Sequence, residues 1–277
     1  MSFIDLQNID FRYPEEPDEQ LVLKGISLSI QKGEFLSIIG ANSSGKSTLG
    51  RLMNALYLPV KGTVIVNGMN TLDEEKVFDI RKTVGMIFQN PDNQIVATTV
   101  EEEVAFGPEN LCLPNKEIRK RVDEAMDLTG LKPYAQTPPH LLSGGQKQLL
   151  AIASVLSMKP SCMIFDEPTS LLDPKSRKMV VKKIVELNQQ GITIVLITHR
   201  MEEVLLSKRV IVLYEGQIVK DMTPGELFQM TEQDLNKIKL YPPEIIKIIS
   251  RMKQEGMEIP PHIYSTSDLV SFICPSK

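Results

Sequence analysis

The sequence predicts an α/β fold: a mixed sheet core that opens with an antiparallel β subdomain, carries a helical subdomain midway and ends in a small helical extension. Three observations lead there. Short apolar runs such as "FLSII" at 35–39, "CMIF" at 162–165 and "ITIVLIT" at 192–198 alternate with longer amphipathic stretches. That is the rhythm of strands covered on both faces by helices. Residues 1–35 instead alternate and turn, as antiparallel hairpins do. Between "FLSII" and the next helix lies "GANSSGKSTLG", a low-bulk turn able to aim backbone N–H groups at an anion.

Bulk properties narrow the classes. The 277 residues, 42% of them hydrophobic, can bury one large core plus an appendage. Net charge is −4 with both signs mixed and no basic tail, so no nucleic-acid partner is expected. Cys112, Cys162 and Cys274 lack ligand-like spacing, which argues against a disulfide framework or a structural metal. No 18-residue apolar run and no basic-then-apolar start are present. The expectation is a chain made and kept in the cytoplasm, able to dock onto a membrane protein through a surface groove.

Taken in order, "FIDLQNIDFRY", a Pro/Glu/Asp-rich loop and "LVLKGISLSI" read as hairpin strands. "FLSIIG" reads as a buried strand, and the helix from Lys46 should end before Pro59. "GTVIVNG" is a short strand, and "TVGMIFQ" a buried one that stops at the turn-rich "NPDNQ". Helices follow over about 101–145; in "NKEIRKRVDEAMDLTG" the apolar positions are 118, 122, 125, 126 and 128. "LLSGGQKQLLAIASVLSMKP" turns helical after its glycines. Strand "CMIFDEP", helix "PKSRKMVVKKIVELNQQ" and strand "ITIVLITH" resume the parallel rhythm, and "RVIVLYEGQIV" closes as a hairpin. The domain boundaries expected are 1–222 and an amphipathic tail at 223–277.

Gly40 and Gly45 bracket four residues before Lys46-Ser47-Thr48, giving G-x-x-x-x-G-K-S with Asn42, Ser43 and Ser44 inside the loop. Such a loop wraps a phosphate with inward N–H groups, the lysine reaches the β/γ-phosphates and the serine offers its hydroxyl to Mg²⁺. Asp166, ending an apolar strand, is placed to hold that ion through water, and Glu167 to polarise an attacking water. Gln89 ends a third strand and His199 a fourth, and in a parallel sheet these carboxyl ends gather over one crevice. Gln89 can touch the metal or its water; His199 can bond the γ-phosphate or hold the water. No serine or lysine nucleophile has an adjacent base, so direct attack by water is expected.

At this point "LLSGGQKQ", Leu141–Gln148, resembles the signature motif of ATP-binding cassette (ABC) ATPases. With the phosphate loop, Gln89, "MIFDEP", "SLLD" and His199, the family's ordered set is complete over residues 3–222. More narrowly, "IFQNPDNQIVATTVEEEVAFGPENLCLP" and the tail "LNKIKLYPPEIIKIISRMKQEG" resemble the ATPase subunits of energy-coupling factor transporters, including the cobalt/nickel branch.

The resemblance implies a P-loop NTPase of the ABC type that uses ATP and Mg²⁺ in a head-to-tail sandwich. Ser143, Gly144, Gly145 and Gln146 would face ATP held by the other subunit, Asp173 would lie at the dimer seam, and Tyr13 would stack on adenine. It also implies a second ATPase subunit, a heterodimer being favoured over a homodimer, together with a transmembrane coupling protein and a separate membrane protein that captures a vitamin or metal ion. The tail would add dimer contacts. A conventional importer ATPase, or a soluble cassette with no membrane partner, are the alternatives. Three positions depart from the family pattern: Ser43 for a glycine, Leu149 for an arginine expected to be at the surface, and Arg200 for an aspartate.

Overall fold

The computed structural model describes residues 2–14, 20–260 and 263–274. Most of the Pro/Glu/Asp-rich loop, 15–19, therefore lies outside the described residues. The chain begins with β1 (Ile4–Phe11) and β2 (Leu23–Ile30), then β3 (Phe35–Ile39), α1 (Lys46–Met53), β4 (Lys61–Val66) and β5 (Met69–Asn70). Next come α2 (Val77–Thr83), β6 (Val84–Ile87), α3 (Val100–Asn110), α4 (Asn115–Thr129) and α5 (Gly144–Leu156). These are followed by β7 (Cys162–Asp166), α6 (Pro174–Gln189), β8 (Thr193–Ile197), α7 (Met201–Val204), β9 (Arg209–Tyr214) and β10 (Gln217–Met222). Four short helices end the chain: α8 (Pro224–Gln229), α9 (Glu232–Lys237), α10 (Glu244–Gln254) and α11 (Thr266–Ile273).

Two sheets form. One is antiparallel in the order β2-β1-β4-β5; the other runs β10-β9-β3-β8-β7-β6. In the second, β9, β3, β8, β7 and β6 are mutually parallel and only β10 is antiparallel. Because a strand exposes successive side chains on opposite faces, β7 and β8 each feed two cores. Cys162, Ile164, Val195 and Ile197 pack with the antiparallel sheet and α1, whereas Met163, Phe165, Ile194 and Leu196 pack with α3 to α6. Each fully buried Leu, Ile or Phe contributes about 1.5–3 kcal/mol, so sequence runs apolar at every position are the ones found in mid-sheet.

The helical subdomain starts at a capping box, in which Thr99 accepts from Glu102 N and the Glu102 side chain accepts from Thr99 N. On α4, Val122, Ala125, Met126 and Thr129 are buried while Leu128 is exposed, which moves the buried stripe one residue away from the sequence expectation. Leu149 is buried in the second core, so that position does not face solvent as expected for a surface ion pair. "NPDNQ" forms a single 3₁₀ turn at Pro91–Asn93.

The tail builds a third core. Leu227, Phe228, Leu235, Leu240, Ile246 and Ile249 from its helices pack with Val210 and Val212 of β9, Val204 of α7 and Ile39 of β3. None of the described helices is long and apolar enough to cross a membrane.

Candidate functional site

Parallel strands deliver their loops to one edge, and a cleft of about 1050 Å³ lies there. Its walls include Tyr13, the loop Asn42, Ser43, Ser44, Gly45, Lys46, Ser47 and Thr48, and, across from it, Gln89, Glu167 and His199. Sequence reasoning brought these groups together; it did not anticipate Val22, Lys24 and Gly216, which also line the cleft and carry no motif. Gln89 and His199 each stand two residues beyond their strand, in the connecting loop.

The phosphate loop is shaped by its glycines. Gly40 has φ +154°, and a Cβ there would sit 2.1 Å from the Leu213 carbonyl oxygen. Gly45 has φ +100°, and its Cβ would meet Leu23 Cδ2 at 2.6 Å. Ser43 takes φ +62° despite its side chain, a left-handed conformation that costs an L-residue about 1–2 kcal/mol. The loop therefore keeps its fold without the family glycine.

Lys46 is buried and donates to the Gly40 and Ala41 carbonyls at 3.0 and 2.8 Å. An ammonium has three donors, so one remains for a ligand. Burial pulls its pKa below the ordinary lysine value, against the opposing fields of Glu167 and Asp166. Ser44 Oγ is buried and has no partner among the described residues. An orphaned hydroxyl and an ammonium with one donor left in one backbone cradle suit a polyphosphate.

Asp166 is 4% exposed and accepts from Ser47 Oγ at 2.8 Å. Burial pushes its carboxyl above the ordinary range, with the Ser47 bond opposing. The donors at this point are a hydroxyl and a carboxylate, and the Gln89 amide lines the same cleft as Ser47, a set of hard oxygen groups that suits Mg²⁺. Among the described residues no group of three or more His, Cys, Asp or Glu side chains could hold a metal on its own. An ion here would complete its shell with phosphate oxygens and water, as Mg²⁺ does.

Glu167 has a left-handed backbone, φ +50°, pinned by Glu167 N donating to Ile197 O at 2.9 Å. His199 Nδ1 lies 3.1 Å from Glu167 Oε2, and Gln89 Nε2 donates to the same oxygen at 3.3 Å. Gln89 also donates to Ser170 Oγ at 3.2 Å, a contact the sequence did not suggest. Sequence reading also missed the buried carboxylates Glu103 and Glu203. Glu103 accepts from Val96 N and Ala97 N at 2.9 Å each, bracing the loop that follows Gln89. An acidic residue on an otherwise apolar helix face was the available signal.

Tyr13 bonds Thr48 Oγ1 at 2.7 Å, with its ring edge-on to Phe11 and Tyr57 at 5.2 and 5.6 Å. Ser143 caps α5 in a reciprocal box with Gln146, Ser143 N donating to Gln146 Oε1 at 2.9 Å. Ser143 and Gly144 are exposed and lie outside the cleft, while Gly145 is buried against Ser176. Asp173 caps α6 through Lys175 N and Ser176 N at 2.9 and 3.1 Å; the Ser176 side chain first, and then these amides, hold its carboxyl below the ordinary range. It too lies outside the cleft.

The ABC transporter family model matches residues 23–170. The energy-coupling factor transporter ATP-binding protein EcfA1 of Caldanaerobacter subterraneus subsp. tengcongensis is 51% identical over 277 residues, covering 99% of this chain and 100% of that protein. The structure of cbiO1 from Clostridium perfringens, described as part of the ABC transporter complex cbiONQ, superposes with a TM-score of 0.77 at 35% identity, covering 90% of this chain and 99% of that one. The ATP-binding cassette MJ0796, in a dimeric post-hydrolysis state bound to ADP and Pi, gives a TM-score of 0.72 at 30% identity over 80% of this chain and 98% of its own. The chain belongs to the ABC transporter family, and within it to the ATP-hydrolysing subunits of energy-coupling factor transporters.

Proposed function

We propose that the cleft binds MgATP and that Glu167 is the base for its hydrolysis. The observation carrying this reading is the Glu167 carboxylate, held on a strained backbone between His199 Nδ1 and Gln89 Nε2 beside the phosphate loop. The amides of Gly40, Asn42, Ser43, Ser44 and Gly45, with Lys46 and Thr48, cradle the phosphates. Ser47, Asp166 and the Gln89 amide oxygen would hold Mg²⁺. When bound, the ion neutralises charge on the polyphosphate. Glu167 takes the proton of the attacking water, and His199, oriented through Nδ1, keeps its other ring nitrogen for the γ-phosphate. Tyr13 offers its ring to adenine.

Ser143 and Gly144 lie outside their own chain's cleft, which supports a sandwich in which Ser143, Gly144, Gly145 and Gln146 close over ATP held by a second subunit and Asp173 meets the seam. Hydrolysis removes the γ-phosphate bridge and the sandwich opens, so that chemical free energy becomes a change of shape. The partner is a second energy-coupling factor ATPase, a related subunit in preference to another copy. Exposed Tyr241, Ile248, Val270 and Ile273 on the tail supply further dimer contact. The pair sits peripherally on the cytoplasmic face of the membrane. There the segment from Gln89 to Gly107, with Val96 and Phe106 exposed, receives a helix of the transmembrane coupling subunit. A vitamin or transition-metal ion is selected by a separate substrate-binding membrane protein.

Glu167→Gln tests the chemistry. Phosphate release should fall by about 10²–10⁴-fold, and an ATP-bound dimer should survive gel filtration. Hydrolysis at the wild-type rate would remove Glu167 from this role.

A further inference from the structure

The carboxylate of Glu203, on α7, is 4% exposed and meets two hydroxyls from different loops. Thr169 Oγ1 donates to Glu203 Oε1, and Thr198 Oγ1 donates to Glu203 Oε2 at 2.7 Å. Both threonines are buried. Thr169 stands two residues after Glu167, and Thr198 directly precedes His199. Thr198 Oγ1 also accepts from Arg200 N at 3.0 Å, and Thr198 N donates to Ile38 O at 3.2 Å on the strand entering the phosphate loop.

We propose that Glu203 is a positioning residue for hydrolysis: one buried carboxylate, bonded to Thr169 and Thr198, sets the spacing of the Glu167–His199 pair. This rests on the catalytic reading of Glu167 given above. A buried carboxylate is costly unless hydrogen bonds satisfy it, and an apolar residue would fill the same space without that cost. What the carboxylate adds is two rigidly linked acceptors. Thr198 already receives the Arg200 N–H, so its own proton must go to an acceptor, and Glu203 Oε2 provides one. The same logic fixes the Thr169 rotor. With both rotors fixed, Glu203 joins the loops after β7 and β8, the two loops that carry Glu167 and His199, which meet at 3.1 Å. A carboxylate–imidazole pair depends strongly on geometry, and a displacement of about 1 Å can lower turnover on the order of 100-fold.

Glu203→Ala and Glu203→Gln, each alone and in the Glu167→Gln background, test the proposal by single-turnover phosphate release and nucleotide titration. Glu203→Ala should lower kcat about 10- to 50-fold while ATP affinity stays within about twofold, because the phosphate loop is untouched. Glu203→Gln keeps the volume and one acceptor, and should fall between. On top of Glu167→Gln, Glu203→Ala should cost less than about twofold, since the pair it aligns is already disabled. Unchanged kcat, a parallel loss of affinity and kcat, or a full additive penalty on Glu167→Gln would each overturn the proposal. If the alanine variant does not fold, Thr169→Val and Glu203→Gln carry the same comparison. Loss of activity in Glu167→Gln with a normal Glu203→Ala sinks only this proposal, whereas normal activity in Glu167→Gln sinks the catalytic reading itself.

Discussion

Ser176 occupies the space that a side chain on Gly145 would need: a Cβ built there falls 2.6 Å from both Cβ and Oγ of Ser176. The second glycine of the signature motif is thereby a packing residue between α5 and α6, whatever it contributes to a nucleotide. Gly145→Ala should destabilise the chain by about 1–3 kcal/mol through overpacking. Ser176→Gly in the same chain should recover most of that loss. Urea denaturation of the two singles and the double gives the coupling, and additive losses would refute it.

Ser43 holds a left-handed backbone in the phosphate loop. Glycine there relieves about 1–2 kcal/mol of conformational cost and gives back roughly 0.5–1 kcal/mol in unfolded-chain entropy. Ser43→Gly should therefore raise stability by about 0.5 kcal/mol and leave MgATP affinity equal or tighter. Weaker nucleotide binding in a titration would show that the hydroxyl matters more than the backbone.

Tyr13 allows its hydroxyl and its ring to be separated. Tyr13→Phe removes the 2.7 Å bond to Thr48 and should shift the Kd for ATP less than about fivefold, a single hydrogen bond being worth about 1 kcal/mol or less net. Tyr13→Ala removes the stacking face and should weaken ATP and ADP equally, by about tenfold. Fluorescence titration with both nucleotides separates the two. Equal small effects from both variants would assign the ring to packing with Phe11 and Tyr57.

Arg209 grips Asp221 with two bonds, Nε to Oδ1 at 2.7 Å and Nη2 to Oδ2 at 2.6 Å, and thereby locks β9 to β10. The bonds hold the Asp221 carboxyl below its ordinary range. A depressed folded pKa means the contribution is complete above the unfolded value of about 3.9 and is lost as pH falls through the lower folded value. Because Asp221 is half-exposed, the contribution is at most about 1 kcal/mol. Asp221→Asn should therefore be less stable than wild type at pH 7, with the gap closing below about pH 3. A gap that widens on acidification would reverse the assignment.

Local chemistry made much of the site legible. The strands leading to Gln89, Glu167 and His199 are apolar at nearly every position, and a parallel sheet leaves little freedom over where their ends go. Ser143 and Gln146 could be read as a helix cap because that motif is local, three residues apart. The partners that set exact side-chain placement were hidden, since Ser170, Thr169 and Glu203 are single polar residues with no spacing rule. Gly145 against Ser176 is a contact between residues far apart in sequence, and periodicity carries no information about it. Two or three tail segments were recognisable as amphipathic where the structure has four short helices, and nothing in them named the β9 face as the surface they cover.

That face has a consequence for how the chain comes apart. Ile39, immediately before Gly40, shares its apolar surroundings with Leu227, Phe228 and Ile249. A protein ending at residue 222 would hand Ile39, Val210 and Val212 to water, directly behind the nucleotide loop. The appendage and the cassette should accordingly melt in one calorimetric transition. Shaving the outward residues Tyr241 and Ile248, rather than cutting the chain, is then the operation that isolates subunit pairing from foldedness.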